Sequence, residues 1–155
     1  LDDRTEYTPG WKFNEWELKG VPIRIEIGPR DVKQKQVMFA RRDTHAKNAV
    51  KEEEIAEAAV KMLDEIQTSL FNKAKKFLEN STFTVKTYDE FQKILNEKGG
   101  FIKASWCGDS DCEAKTKEET GATIRLISPE NEKPFSKCVH CGREAKEVVY
   151  FARSY

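Results

Sequence analysis

The stretches Cys107-Gly-Asp-Ser-Asp-Cys112 and Cys138-Val-His-Cys141-Gly contain all four cysteines of this 155-residue chain. Two residues separate the second pair, which lets both thiolates turn toward one point as a metal knuckle, and the four residues inside the first pair are still within range. Four thiolates at tetrahedral geometry suit Zn²⁺ best. Because four protein ligands leave no open position for water, the spacing predicts a structural zinc site formed by Cys107, Cys112, Cys138 and Cys141.

Two other uses of the same cysteines stay open. They could form disulfides, although nothing else in the chain resembles a secreted protein. Cys138 and Cys141 could form a redox pair, which would leave Cys107 and Cys112 without a role. In addition, His140 lies inside the second knuckle and could replace one sulfur as a metal ligand.

The overall composition gives no sign of a membrane or of a strongly charged partner. Lys+Arg and Asp+Glu both count 27, so no net charge indicates a nucleic-acid partner. No apolar run approaches membrane-spanning length, and the start Leu1-Asp2-Asp3-Arg4 lacks the apolar stretch of a signal peptide. With cysteines clustered as a metal site, these features predict a cytoplasmic protein. Because residue 1 is leucine, we expect the chain to be cut from a longer one.

The first part of the chain predicts a helix followed by two strands. Thr8 and Pro9 form a helix start, with Thr8 as the cap, and Gly20 is a stop signal. The alternation over 21–27 predicts a strand that places Arg24 and Glu26 on one face and buries Ile23, Ile25 and Ile27 on the other. A second strand is predicted over 36–41, with a loop after the Gly28-Pro29 break.

A local excess of basic residues accompanies these strands. From Arg24 to Lys47 there are seven basic residues against three acidic ones. Such an excess on strand ends and loops could contact phosphates or base edges, and a solvated face is the alternative. Beyond it, the apolar spacing predicts one long packing and linking helix over 51–80, with its stripe at Ile55, Ala59, Met62, Ile66, Leu70, Ala74 and Phe77.

The second part of the chain predicts a small unit around the cysteines. Thr87 caps a helix over 88–98, and a strand over 101–106 delivers Cys107. A helix over 111–120 and strands over 122–127 and 147–152 complete a sheet of two or three strands with two helices. Because so small a unit has little core of its own, a bound Zn²⁺ would supply the missing stability.

Several longer motifs follow one another in the chain: Thr8-Pro-Gly-Trp-Lys-Phe13, Glu15-Trp-Glu-Leu-Lys-Gly-Val-Pro22, Arg24-Ile-Glu-Ile-Gly-Pro-Arg-Asp31, Cys107-Gly-Asp, Lys117-Glu-Glu-Thr-Gly-Ala-Thr123 and Tyr150-Phe-Ala-Arg-Ser-Tyr155. With these motifs the chain resembles the prolyl-tRNA synthetase family, in the archaeal/eukaryotic-like form that carries a zinc domain at its C-terminus. The resemblance implies an α/β (α+β) architecture. Residues 1–80 would be a class IIa anticodon-binding domain, a mixed sheet flanked by helices, and 81–155 a small α+β zinc-binding domain.

The resemblance also implies a function. Members of the family activate proline with ATP and Mg²⁺ and esterify it to tRNA(Pro), as cytoplasmic homodimers, without a DNA or membrane partner. This chain has no candidate for the three class II motifs of the catalytic domain, so we expect no catalytic residue in it and no aminoacylation by it alone. The family's anticodon domain begins with a strand, a helix and a further strand, of which we expect only the tail, Leu1-Asp2-Asp3.

By resemblance, anticodon reading falls on the helix after Pro9 and on the Gly28-Pro29 loop. The second and third anticodon bases of tRNA(Pro) are guanines, whose edges suit carboxylates and cationic side chains, and unstacked loop bases can stack on aromatic rings. The matching positions are Phe13, Glu17, Arg24, Arg30, Asp31 and Lys47. Tyr155 matches the family's C-terminus, which folds back toward the catalytic domain.

An alternative of another class stays open at this point. The chain could be a free-standing zinc-containing RNA-binding or adaptor module. An open reading frame that continues upstream into class II motifs would exclude that alternative.

Overall fold

A computed structural model describes residues 1–154, which form two units, Leu1–Ala74 and the remainder from Lys75. Tyr155, expected to dock toward a catalytic domain, lies outside the described residues. Among residues 1–154, none of the helices combines the length and the apolar character that crossing a bilayer would need.

The first unit contains a three-stranded antiparallel sheet in the order β1-β2-β3. Its elements, in chain order, are α1 (Pro9–Leu18), β1 (Ile23–Glu26), α2 (Pro29–Gln34), β2 (Gln36–Arg41), β3 (Lys47–Lys51), a short 3₁₀ turn (Glu52–Glu54) and the larger part of α3 (Ile55–Asn80). The predicted start of α1 is confirmed, since the Thr8 hydroxyl accepts a hydrogen bond from the Trp11 N–H and Pro9 occupies the first turn.

The core of the first unit lies between β2 and α3. Val37 and Phe39, two residues apart on β2, point to the same side and pack against Met62 and Ile66 of α3. The apolar stripe predicted for this helix is therefore buried only in its first half, because Leu70 and Phe77 are exposed. The helix also begins four residues later than expected, since Lys51 ends β3 and the three glutamates form the 3₁₀ turn.

Three other expectations for the first unit were wrong. Ile25 and Ile27 are exposed, at 45% and 65%, because β1 is a four-residue edge strand and only Ile23 reaches the core formed with α3. The predicted loop after Gly28 is the short helix α2, which begins at Pro29. Residues 1–4 form no strand, so no strand tail is found there.

The second unit has a four-stranded mixed sheet in the order β4-β5-β7-β6. We expected two or three strands, so the sheet has at least one strand more than predicted. Its elements are β4 (Thr82–Thr84), α4 (Tyr88–Glu97), β5 (Phe101–Trp106), α5 (Ser110–Thr120), β6 (Ala122–Ile127) and β7 (Glu147–Arg153). The additional strand, β4, has three residues and pairs in parallel with β5, and α4 makes the crossover between them. The other predicted helices and strands of this unit are confirmed within one residue or two.

The core of the second unit is formed where α4 packs on the sheet. Phe91 and Leu95 of α4 contact buried residues of the three longer strands: Ile102, Ala104, Ala122, Val149 and Phe151. The rings of Phe91 and Phe151 meet edge to face, with centroids 5.2 Å apart. This pair gives the unit an aromatic centre in the geometry that aromatic rings prefer.

We expect Phe151→Ala to lower the free energy of unfolding by about 3–5 kcal/mol, because it leaves a cavity against Phe91 in a fully packed core. Phe77→Ala is the matched control, since Phe77 is 73% exposed and its loss should change stability by about 0.5 kcal/mol or less. Urea denaturation followed by far-UV circular dichroism measures both. Equal effects of the two substitutions would contradict this assignment of the core.

Candidate functional site

Three of the residues predicted to read an anticodon meet beside α1. Phe13 and Glu17 lie four residues apart on this helix, hence on one face of it. The guanidinium carbon of Arg24 lies 3.8 Å from the centroid of the Phe13 ring, and Arg24 Nη1 donates to Glu17 Oε1 over 2.6 Å. A stacked cation and a carboxylate are thus presented together at the start of β1.

Strand pairing brings a fourth predicted residue, Lys47, to the same place. Arg24 pairs with Ala40 and Ala40 pairs with Lys47, so the three residues form one row across the sheet. Glu26 joins the two cations, because its carboxylate accepts from Arg24 Nε over 2.9 Å and from Lys47 Nζ over 2.8 Å. We call Phe13, Glu17, Arg24, Glu26 and Lys47 the charged row.

The charge state of Glu26 follows from these contacts. Burial acts to raise the pKa of Glu26, but hydrogen bonds from Lys47 and Arg24 outweigh it and hold the pKa below its ordinary value. Glu26 is therefore a carboxylate at neutral pH. It orients both cations, which alternate with the carboxylates of Glu17 and Glu26 along the row.

The other two predicted residues, Arg30 and Asp31, lie on α2 and share no hydrogen bond or ion pair with the charged row within residues 1–154. Asp31 Oδ2 accepts from the Gly28 N–H over 2.9 Å, and Asp31 Oδ1 accepts from Gln36 Nε2 over 3.3 Å. Asp31 therefore caps the helix from its own first turn. Arg30 is exposed beside it.

Sequence reasoning missed Glu26 as a member of this surface and included Arg42 only in the local excess of basic residues. Glu26 was read only as the solvent face of a strand, and its link to Lys47 depends on a pairing with β3 that the sequence did not reveal. Arg42, which follows β2, lines a small crevice together with Phe13, Glu17 and Arg24. Four exposed cations of this region take part in none of the ion pairs found between the described residues: Arg30, Lys33, Lys35 and Arg42.

The four cysteines of the second unit also come together. Their sulfur atoms all lie within 4.8 Å of one another. The sulfur–sulfur distance is 3.8 Å for Cys112 and Cys138 and 3.7 Å for Cys107 and Cys141. A disulfide bond would need about 2 Å, so the four residues are free thiols.

Three segments place these sulfurs. Cys107 follows directly after β5, Cys112 lies in the first turn of α5, and the turn over 138–142 carries the other two. Gly108 and Gly142 have φ of 81° and 70°, a left-handed conformation that glycine adopts without strain. We call these four thiols the cysteine centre.

Ser105 of β5 holds the segment that returns to the cysteine centre. Its fully buried hydroxyl accepts from the backbone N–H groups of Phe135 and Ser136 over 3.1 and 3.2 Å. Its carbonyl accepts from the Val139 N–H over 3.0 Å. This role was not predictable from the sequence, because a serine in a strand is usually a solvent-facing residue.

His140 is a hydrogen-bond neighbour of the cysteine centre and lies outside the group of four. Its Nδ1 is 3.5 Å from Cys112 Sγ, and its Nε2 is 3.3 Å from the Glu119 carboxylate, which also accepts from the Tyr88 hydroxyl. On the other side, Arg143 Nε donates to Cys141 Sγ over 3.3 Å. Cys112 and Cys141 therefore each have a polar side chain within hydrogen-bond distance.

The thiols differ in their environments. Burial raises the pKa of the Cys112 thiol, and the charge of Cys138 adds to this shift. Burial also acts to raise the pKa of Cys141, but the hydrogen bond from Arg143 outweighs it, and the pKa of this exposed thiol falls to about 6. Cys141 is therefore more readily present as a thiolate than Cys107 or Cys112, whose pKa values burial raises.

The cysteine centre fits a tetrahedral zinc ion. A zinc–sulfur bond of about 2.3 Å sets the sulfur–sulfur edge of a regular tetrahedron at roughly 3.8 Å. Two of the pairs already show this separation, at 3.8 and 3.7 Å. Sulfur donors of this number and arrangement are those that soft and borderline metals prefer.

Comparison with known proteins supports the interpretation of both units. The family described as "Anticodon binding domain" matches residues 1–62, and the family described as "Prolyl-tRNA synthetase, C-terminal" matches residues 88–155. The chain is 53% identical over 155 residues to a proline–tRNA ligase 2 from Clostridioides difficile (strain 630), and 52% identical over 155 residues to a proline–tRNA ligase from Alkaliphilus oremlandii (strain OhILAs). In both comparisons the matched region covers 100% of this chain and 32% of the relative.

A solved structure agrees. Prolyl-tRNA synthetase from Cryptosporidium parvum, in complex with L-proline and AMP, superposes with a TM-score of 0.90 at 39% sequence identity, over 99% of this chain and 33% of that one. The chain thus spans about a third of the length of the relatives it matches. It belongs to the prolyl-tRNA synthetase family and corresponds to its C-terminal, anticodon-binding part.

Proposed function

We propose that this chain is the tRNA-reading and zinc-binding portion of a proline–tRNA ligase, and that its charged row recognises the guanines of the tRNA(Pro) anticodon. The observation that carries this proposal is the convergence of Phe13, Glu17, Arg24 and Lys47 from three separate elements. All four were expected to read an anticodon from the resemblance of the motifs alone.

The chemistry of guanine suits this arrangement. A carboxylate such as Glu17 can accept hydrogen bonds from the N1 and N2 protons of guanine, while Arg24 and Lys47 can donate to O6 and N7. Arg24 uses Nη1 to hold Glu17, which aims the carboxylate and leaves Glu17 Oε2 without a partner among residues 1–154. Phe13 offers a ring on which an unstacked anticodon base can rest.

The remaining predicted residues take a supporting role in this proposal. Arg30, together with the exposed Lys33, Lys35 and Arg42, supplies positive charge that can contact the phosphates of the anticodon loop. Asp31 fixes α2 and thereby the position of Arg30. In this division, residues 1–80 form the anticodon-binding domain and 81–155 the zinc-binding domain.

The cysteine centre would hold one structural Zn²⁺ through Cys107, Cys112, Cys138 and Cys141. The sulfur–sulfur distances and the donor set support zinc, and the bound ion would tie β5, α5 and the 138–142 turn together. Four sulfur ligands would leave it no catalytic position.

The whole protein would attach proline to tRNA(Pro) at the expense of ATP with Mg²⁺, as a class II enzyme and a cytoplasmic homodimer. Its catalytic domain would be the partner of this portion, with Tyr155 directed toward the active site. The matched relatives are about three times as long as this chain, which supports an additional domain for the chemistry. The chain alone would then be inactive in aminoacylation.

We expect this chain to bind a proline tRNA transcript more tightly than a transcript whose second and third anticodon guanines are replaced by adenine. Each lost guanine contact is worth about 1–3 kcal/mol, or roughly ten- to a hundred-fold in affinity. Fluorescence anisotropy at one fixed salt concentration measures both dissociation constants. Equal affinity for the two transcripts would contradict anticodon reading by this chain.

We expect Glu17→Gln to remove most of that discrimination, because an amide offers one acceptor oxygen where the carboxylate offers two. Glu57→Gln, on the exposed side of α3, makes the same change of charge away from the charged row and serves as the matched control. The ratio of affinities for the two transcripts is the readout. If the control reduced that ratio as much as Glu17→Gln, the effect would be one of net charge and not of base reading.

We expect the purified chain to contain one zinc ion per molecule and to lose it to a strong chelator. Because the ligands come from three segments of the second unit, removal should melt that unit while the first unit keeps its hydrogen-exchange protection. Adding Zn²⁺ back should restore the hydrogen-exchange protection of the second unit. In the Cys112→Ser variant, added Zn²⁺ should not restore it. Unchanged protection of β5 and α5 after complete removal of the metal would speak against a structural role.

A further inference from the structure

A zinc ion with four thiolates carries a net charge of −2, and charge of this kind close to the surface needs compensation from the protein. We propose that Arg143 supplies it: its guanidinium, held by Asp109, bridges Cys107 and Cys141, retains the metal and shields the exposed sulfur. This proposal rests on the proposed zinc site and adds a positioning residue that none of the ligand spacings indicates.

The contacts of Arg143 form a fork over two of the four sulfurs. Its Nε donates to Cys141 Sγ over 3.3 Å, and its Nη2 reaches Cys107 Sγ at 3.8 Å. The same Nη2 donates to Asp109 Oδ2 over 2.5 Å. A planar guanidinium can make these contacts together because its donors lie in one fixed plane, which a lysine ammonium cannot reproduce.

Asp109 is itself fixed, so the fork has a rigid support. Its Oδ1 accepts from the Asp111 N–H over 2.9 Å and caps α5, the helix that carries Cys112. The carboxylate thus joins a helix start to the cation that covers two sulfurs. Hydrogen bonds from outer partners to metal ligands orient those ligands and tune the metal, and Arg143 is placed to make such bonds.

The guanidinium of Arg143 lies beside the most exposed sulfur of the cysteine centre. Cys107, Cys112 and Cys138 are buried, whereas Cys141 is exposed. Cys141 is therefore the sulfur that chelators, electrophiles and water reach first, and it is the one with the shortest contact to the guanidinium, 3.3 Å. Cys112, on the buried side, has the ring of His140 as its neighbour instead.

The Arg143–Asp109 ion pair is too exposed for folding stability to be its main contribution. The side chains of Arg143 and Asp109 are 59% and 34% exposed, and exposed ion pairs contribute little to folding stability. The backbone of residue 143 also takes part, since its carbonyl accepts from the Cys138 N–H over 2.9 Å. A side-chain substitution at position 143 keeps this backbone hydrogen bond as long as the turn still forms. Such variants therefore test the guanidinium alone.

The experiment compares the zinc affinity of the full 155-residue chain with that of three variants, by competition against a chromophoric chelator. We expect Arg143→Met to weaken zinc binding by roughly 10- to 100-fold, the range found when outer partners of metal ligands are removed. Arg143→Lys should lie between Arg143→Met and the unsubstituted chain, because it keeps the charge and loses the fork. Arg125→Met, which removes an exposed guanidinium bonded to Ser154 Oγ, should bind like the unsubstituted chain.

The rate of alkylation by iodoacetamide in the zinc-loaded state gives a second readout, and it should rise for Arg143→Met at Cys141 in particular. Zinc affinity and alkylation of Arg143→Met equal to those of the unsubstituted chain would overturn the proposal while leaving the zinc site intact. If Arg143→Met failed to fold, the comparison of Arg143→Lys with Arg125→Met would decide in the same way. An unsubstituted chain that binds no zinc would overturn both this inference and the proposed zinc site.

Discussion

The convergence of four sulfur atoms within 4.8 Å constrains the second unit more than any other contact in it. A strand end, a helix start and a tight turn must all finish at one point, so their lengths and registers are fixed together. Ser105 shows how this is done, since its hydroxyl holds the returning segment at residues 135 and 136, just ahead of Cys138, and its carbonyl holds Val139, between Cys138 and Cys141. The sheet and α4 then need only a small apolar core, centred on Phe91 and Phe151.

In both candidate sites an arginine side chain is held by a carboxylate, although the two segments have no similar sequence. In the first unit Glu17 and Glu26 hold Arg24, and in the second Asp109 holds Arg143. In each case a carboxylate fixes the plane of a guanidinium whose remaining surface is directed at a ring or at sulfur. An arginine held in this way loses little further freedom when a partner arrives, which favours recognition by geometry as well as by charge.

Local signals in the sequence were sufficient for most elements, and nonlocal pairing explains the failures. The caps of α1 and α4, the extent of α5 and the spacing of the cysteines are set within a few residues, and all were predictable. The strand β3 was missed because Lys-Asn-Ala-Val-Lys has no clear alternation and becomes a strand only by pairing with β2. Glu26 could not be assigned to the charged row for the same reason, and α2 is too short for an apolar period to reveal it.

The small side chain of Ala40 is a condition for the arrangement of the charged row. It stands between Arg24 and Lys47 in the row across the sheet, it is buried, and it makes no polar contact of its own through its side chain. A bulkier residue there would push the two cations apart and break their common hold on Glu26 without altering any charge. If the charged row reads an anticodon as proposed, inherited variation at this spacer would weaken reading while every proposed contact residue remains intact, so surveys restricted to contacting positions would overlook it.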